Sequence, residues 1–175
     1  MPASAGPWRE WASHLPRLDR TAVVEAPDDP VEAAVRLARA AASDQHAVYE
    51  RTGTWHFATA AAAMLTADAE RVTAWAGDRT WEVPTHGRPL RAVAQALAAL
   101  PPDGWRAFGW AAFELGHMLH GEAAGVGSAP LLHLLLPAAE AELTPGKARL
   151  RAADAWTSHA AALLSRPTAQ YAEAE

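Results

Sequence analysis

The segment that most restricts the fold is Phe108-Gly109-Trp110-Ala111-Ala112-Phe113-Glu114-Leu115-Gly116, in which eight of nine residues are apolar or Gly. Such a run is expected to form a strand buried on both faces. Ala107, Gly109, Ala111, Phe113 and Leu115 would line one side, and Phe108, Trp110 and Ala112 the other. Only Glu114 departs from that pattern, so the segment is not expected on a surface.

Around it the chain reads as an α+β fold of antiparallel sheets with packed helices. Residues 1–27 carry Pro2, Pro7, Pro16 and Pro27 among scattered Trp, which predicts an irregular N-terminal arm. Asp28-Asp29-Pro30 is a helix start, with carboxylates for the free N–H groups and Pro in the first turn. The helix is expected to reach about Ala42, with Val31, Ala34, Val35 and Ala38 facing inward and Glu32, Arg36 and Arg39 outward. Strands at Ala47–Arg51 and Trp55–Ala60 flank Thr52-Gly53, and strands at Arg71–Ala76 and Thr80–Val83 flank Gly77-Asp78, a hairpin pattern. Pro89 opens a second helix whose Leu90, Val93, Ala94, Leu97 and Leu100 form a stripe that Pro101-Pro102 ends.

Further on, Ala138–Leu143 and Ala148–Ala152 flank Thr144-Pro145-Gly146-Lys147. A two-residue turn there sets Glu142 opposite Arg149 and Glu140 opposite Arg151, two ion pairs expected on a solvated face. Asp154 could cap a helix containing Trp156, Ala160, Leu163 and Leu164, and residues 167–175 resemble the start of another.

Several of these segments share an order with a known family. Phe108 to Gly116 resembles the FGW-(A/V)-AFE-(L/F)-G stretch of salicylate synthases, which belong to the chorismate-utilising enzyme superfamily together with anthranilate synthase component I and isochorismate synthase. Tyr49-Glu50 with Gly53 and Trp55 is similar to the family's first strand pair. His86-Gly87-Arg88-Pro89-Leu90 resembles the G-R-P that opens its helix, and Ala129-Pro130-Leu131 with Pro137–Asp154 resembles its next strand and hairpin. The likeness implies that 28–154 is the N-terminal α+β region of such an enzyme, that 155–175 is the helical start of a catalytic half not contained here, and that the fold is an incomplete N-terminal portion. Family members convert chorismate to isochorismate and then to salicylate plus pyruvate, for siderophore biosynthesis. They use Mg²⁺ held by carboxylates, a Lys base and a carboxylate acid. Those groups lie in the C-terminal half, so the resemblance transfers no catalytic, cofactor or metal residue to this chain. It leaves chorismate or isochorismate as partners, and Mg²⁺ as cofactor, only where that half is present. In the related anthranilate synthases the first hairpin helps form a tryptophan feedback pocket through an L-L-E-S motif; Val48-Tyr49-Glu50-Arg51 keeps only the Glu, which makes Tyr49 and Glu50 a vestigial effector-site strand. A free-standing binding or interaction module derived from this half is the alternative reading.

Lys147, the only Lys beside fourteen Arg, follows a turn and lacks the desolvation or cationic neighbour that a base needs. Glu114, His117 and His120 form E-x-x-H-x-x-H, but on a helix the outer two point about 120° apart. Gly121–Gly127 lacks the Lys-Ser/Thr ending of a phosphate loop. Trp55, Trp75, Trp81 and Trp110 fall in strand patterns and are expected in cores.

Composition narrows the partners. A formal net charge of -5 without a Lys/Arg cluster argues against nucleic acid. No run approaches the length of a membrane span, and the first residues lack the basic start of a signal peptide. With no Cys, and so no disulfides, a cytoplasmic location is expected.

Overall fold

The structure, a computed structural model, describes residues 6–41, 45–101, 104–120 and 129–166. In chain order the elements are α1 (Gly6–Ser13), β1 (Arg20–Glu25), α2 (Pro30–Arg39), β2 (His46–Arg51), β3 (Thr54–Ala67), β4 (Arg71–Ala76), β5 (Arg79–Pro84), α3 (Pro89–Ala98), β6 (Phe108–Ala111), α4 (Glu114–Leu119), β7 (Leu132–Thr144), β8 (Lys147–Ala152) and α5 (Trp156–Leu164). The strands pair in the order β1-β8-β7-β3-β4-β5, with β2 also on β3 and β6 also on β7. The pairs β1–β8, β2–β3, β3–β4, β4–β5, β6–β7 and β7–β8 are antiparallel. The mixed α/β class with an antiparallel sheet is therefore as expected.

Two compact units make up the chain, one from Met1–Leu15 and Ala62–Leu136, the other from Pro16–Ala61 and Pro137–Glu175. In the first unit, Trp8, Trp11 and Ala12 of α1 join Leu65, Val72, Ala74, Trp81, Val93, Ala96 and Leu136 in one core. In the second, Ala33, Ala34 and Leu37 of α2 pack with Phe57, Leu143, Ala148, Leu150, Ala160 and Leu164.

The connectivity repeats. Matching β1-α2-β2-β3-β4 with β5-α3-β6-β7-β8 leaves the strand order unchanged when it is read from its other end. The first part of the match is exact in length: Arg20 and Pro30, which open β1 and α2, lie 59 residues before Arg79 and Pro89, which open β5 and α3. Burial follows the same spacing, since Ala33, Ala34 and Leu37 of α2 correspond to Ala92, Val93 and Ala96 of α3. Both helices thus bury the same stripe, and in both it is rotated from the sequence expectation. Val31, Val35 and Leu90 are exposed. Arg36 is fully buried rather than outward, held by the Glu32 carboxylate and by the Arg166 carbonyl at 2.6 Å. In α2 the small Ala33 and Ala34 pack inward and the β-branched Val31 and Val35 go outside, whereas α3 buries Val93 beside Ala92 and Ala96.

Three further expectations change. The described part of the 1–27 segment is not an irregular arm: α1 buries Trp8 and Trp11, Pro7 sits in its first turn, and β1 pairs with β8 in register from Arg20↔Ala152 to Glu25↔Lys147. The strand through Phe108 ends at Ala111, and the chain turns into α4. Its outer residues meet solvent, with Trp110 51% and Phe113 84% exposed. An apolar run does not by itself distinguish a strand from a helix start, and among the described residues β6 pairs with β7 alone. Gly109 is the residue that permits this pairing, because a Cβ there would lie 1.8 Å from the His133 carbonyl oxygen. α5 belongs to the second unit, burying Ala160, Leu163 and Leu164 against α2 and β1; residues 167–175 lie outside the described residues.

The hairpin register is as expected. Gly146 adopts φ 73, the value a Pro-Gly turn needs at its second central residue, and Glu142 faces Arg149 while Glu140 faces Arg151. The surroundings differ from the expectation. Arg149 and Glu142 approach to 3.9 Å on the solvated side, whereas Glu140 is only 4% exposed and its carboxylate lies 2.8 Å from Arg151.

Candidate functional site

The β2–β3 hairpin carries Tyr49 and Glu50. Its register sets Tyr49 opposite His56 and Glu50 opposite Trp55, around Thr52 and Gly53, both in left-handed conformation at φ 54 and 78. Tyr49 does not pack inward. It is exposed and stacks on the His56 ring, centroids 4.8 Å apart and planes 15° from parallel. The Glu50 carboxylate accepts the Gly53 backbone N–H and so closes the turn. On this arrangement Glu50 has a local structural role, satisfying a backbone donor that the turn leaves free.

A second feature lies at the head of α3. A hollow of roughly 440 Å³ is lined by Val83, Pro84, Thr85, His86, Arg88, Arg91, Ala92 and Gln95. A smaller one of roughly 300 Å³ shares Arg88 and Arg91 and adds Met118 of α4. The floor is fixed by hydrogen bonds: Thr85 donates its N–H to the Glu70 carbonyl at 2.7 Å and its hydroxyl to the Ala69 carbonyl at 2.6 Å, and Arg88 N–H reaches the Thr85 carbonyl at 2.9 Å. Between them His86 and Gly87 turn the chain with φ 49 and 72. Pro89 starts the helix, which has no side-chain cap. Volume and lining are of the kind that holds small molecules.

The remaining sequence candidates separate. Lys147 is the exposed first residue of β8. Glu114 and His117 lie on α4 rather than at a strand end, and His120 caps it. His117 meets the Phe113 ring at 5.6 Å, and no group of three or more His, Asp or Glu among the described residues is placed to hold a metal ion. Gly121–Gly127 lie outside the described residues. Of the strand Trp residues, Trp81 is in the first unit's core and Trp55 packs against the second's. Trp110 instead stacks on His133 at 6.0 Å with one face in solvent. No described helix is long and apolar enough to cross a membrane.

Neither Arg88 nor Arg91 was a sequence candidate. The signal that identifies them is the 59-residue repeat, in which Asp28, Asp29 and Glu32 at the head of α2 become Gly87, Arg88 and Arg91 at the head of α3. Among known proteins, no family model matches the chain and no curated protein matches it.

Proposed function

We propose that this chain is the N-terminal, non-catalytic part of a salicylate synthase-like, chorismate-utilising enzyme. The observation that carries the reading is the collinear order of its resemblances, supported by the elements on which they fall. Tyr49-Glu50 lies on β2 before the Gly53 turn, Gly87-Arg88-Pro89 opens α3, and Phe108-Gly109-Trp110-Ala111 is β6. The β7–β8 hairpin follows, and the Asp154 carboxylate takes the Trp156 N–H at 2.9 Å where α5 begins. On this reading the Mg²⁺-holding carboxylates, the Lys base and the acid belong to a C-terminal half, and the present residues supply scaffold. The chain mixed with chorismate and Mg²⁺ is expected to give no fluorescent salicylate. Turnover by these 175 residues would place the chemistry within them and overturn the reading.

A second reading, a binding or interaction module of the same descent, is favoured by one observation. Among the described residues the short strand β6 pairs with β7 alone, and it carries Trp110 outward beside the exposed Phe113. Exposed aromatic residues at a strand edge suit a partner strand or a small aromatic ligand.

A further inference from the structure

We propose that the hollow at the head of α3 binds a small phosphate monoester, with Arg88 and Arg91 holding the phosphate and Val83, Pro84 and Ala92 receiving its apolar body. Two arginines line one concave site in a chain of formal net charge -5. Among the described residues neither guanidinium has an ion-pair or hydrogen-bond partner. Glu82, the nearest acidic residue along the sequence, is otherwise engaged, its carboxylate 3.4 Å from Arg71.

The chain contains its own comparison. At the head of α2 the equivalent position is filled by an internal anion, since the Asp29 carboxylate accepts the Val31 N–H at 2.8 Å. There Glu32 and Arg36 satisfy each other. Their counterparts 59 residues on, Arg91 and Gln95, both line the hollow, and Arg88 replaces Asp29. One copy of the motif therefore carries its own carboxylates, while the other removes them and presents two planar forks of N–H donors to solvent. Such forks match phosphate oxygens in bidentate geometry. A phosphate has oxygens enough to meet both forks and the uncapped start of α3.

The test uses the whole chain, titrated with phenyl phosphate and followed by backbone amide NMR, with phenol as the uncharged comparison. Saturable shifts confined to residues around 83–95 are expected with phenyl phosphate and none with phenol. The double variant Arg88→Gln/Arg91→Gln should raise Kd at least about tenfold, because charge-assisted hydrogen bonds are lost. Arg17→Gln, an exposed change elsewhere, should leave Kd as it was. Arg88→Asp recreates the α2 arrangement and should abolish phenyl phosphate binding while raising the melting temperature, because the new carboxylate caps the helix. Absence of saturable binding, or an unchanged Kd in the double variant that melts like the parent, would overturn the proposal.

Discussion

Replacing Trp11 by Ala is expected to cost about 4 kcal/mol, in the range for removing a fully buried aromatic side chain. Trp11 has no exposed surface, its ring meets Trp8 edge-on at 6.2 Å, and its indole N–H donates to the Trp75 carbonyl at 3.3 Å. The change therefore empties a large volume in the first unit's core and also leaves a backbone carbonyl without its donor. The loss is read from urea unfolding followed by near-ultraviolet circular dichroism. With two separate cores in the chain, the two units need not unfold together, so the expected signature is an earlier transition carrying the first unit's aromatic signal. A loss below about 1 kcal/mol, the range of an exposed substitution, would mean that α1 does not dock and that the N-terminal segment is the loose arm its prolines suggest.

Arg151→Ala should be the next most damaging substitution, at about 3 kcal/mol. Glu140 is buried and its carboxylate sits 2.8 Å from the Arg151 guanidinium, so truncating the arginine removes the cation that faces a carboxylate held out of water. The internal control is two residues away on the same strand. Arg149 is 73% exposed and 3.9 Å from Glu142, so Arg149→Ala should cost no more than about 0.5 kcal/mol. Replacing both members of the inner pair, as Glu140→Leu with Arg151→Met, should restore most of the loss, since the stranded charge goes with its partner. Equal costs for Arg149→Ala and Arg151→Ala in urea unfolding would contradict the burial of Glu140.

How far the sequence could be read depended on the kind of signal each residue carries. Turn chemistry was local and legible. Pro145-Gly146 set the β7–β8 register, and Asp29 before Pro30 marked the start of α2, where the carboxylate does cap Val31. Side-chain direction was less legible because this core is built largely from Ala. Counting Val and Leu as the buried face rotated the stripes of α2 and α3, whereas close packing buries Ala33, Ala34 and Leu37 and turns Val31 and Val35 outward. The i,i+4 spacing does pair Arg36 with Glu32, but no periodicity reveals that Arg36 is buried and that the Arg166 carbonyl also receives it.

The same limit applies to the apolar run at Phe108. Its composition called for burial, but burial depends on neighbours supplied by distant sequence. Among the described residues only β7 pairs with this strand, and Trp110 and Phe113 reach solvent. In the N-terminal segment the prolines outweighed a helical signal that was present, Trp8, Trp11 and Ala12 at i, i+3 and i+4. The hollow at the head of α3 is also foreshadowed, in the recurrence of Arg20-Thr21, Pro30 and Ala33 as Arg79-Thr80, Pro89 and Ala92 with Asp29 and Glu32 replaced by Arg88 and Arg91. That signal becomes readable once the strand order gives a reason to align the two segments.

If, as proposed, these residues are the front part of a larger chorismate-utilising enzyme, the native polypeptide in its source cell has an intact mass more than double the 18.6 kDa of this chain. A native mass near 18.6 kDa would contradict it, and would favour the free-standing module with its aromatic edge at β6.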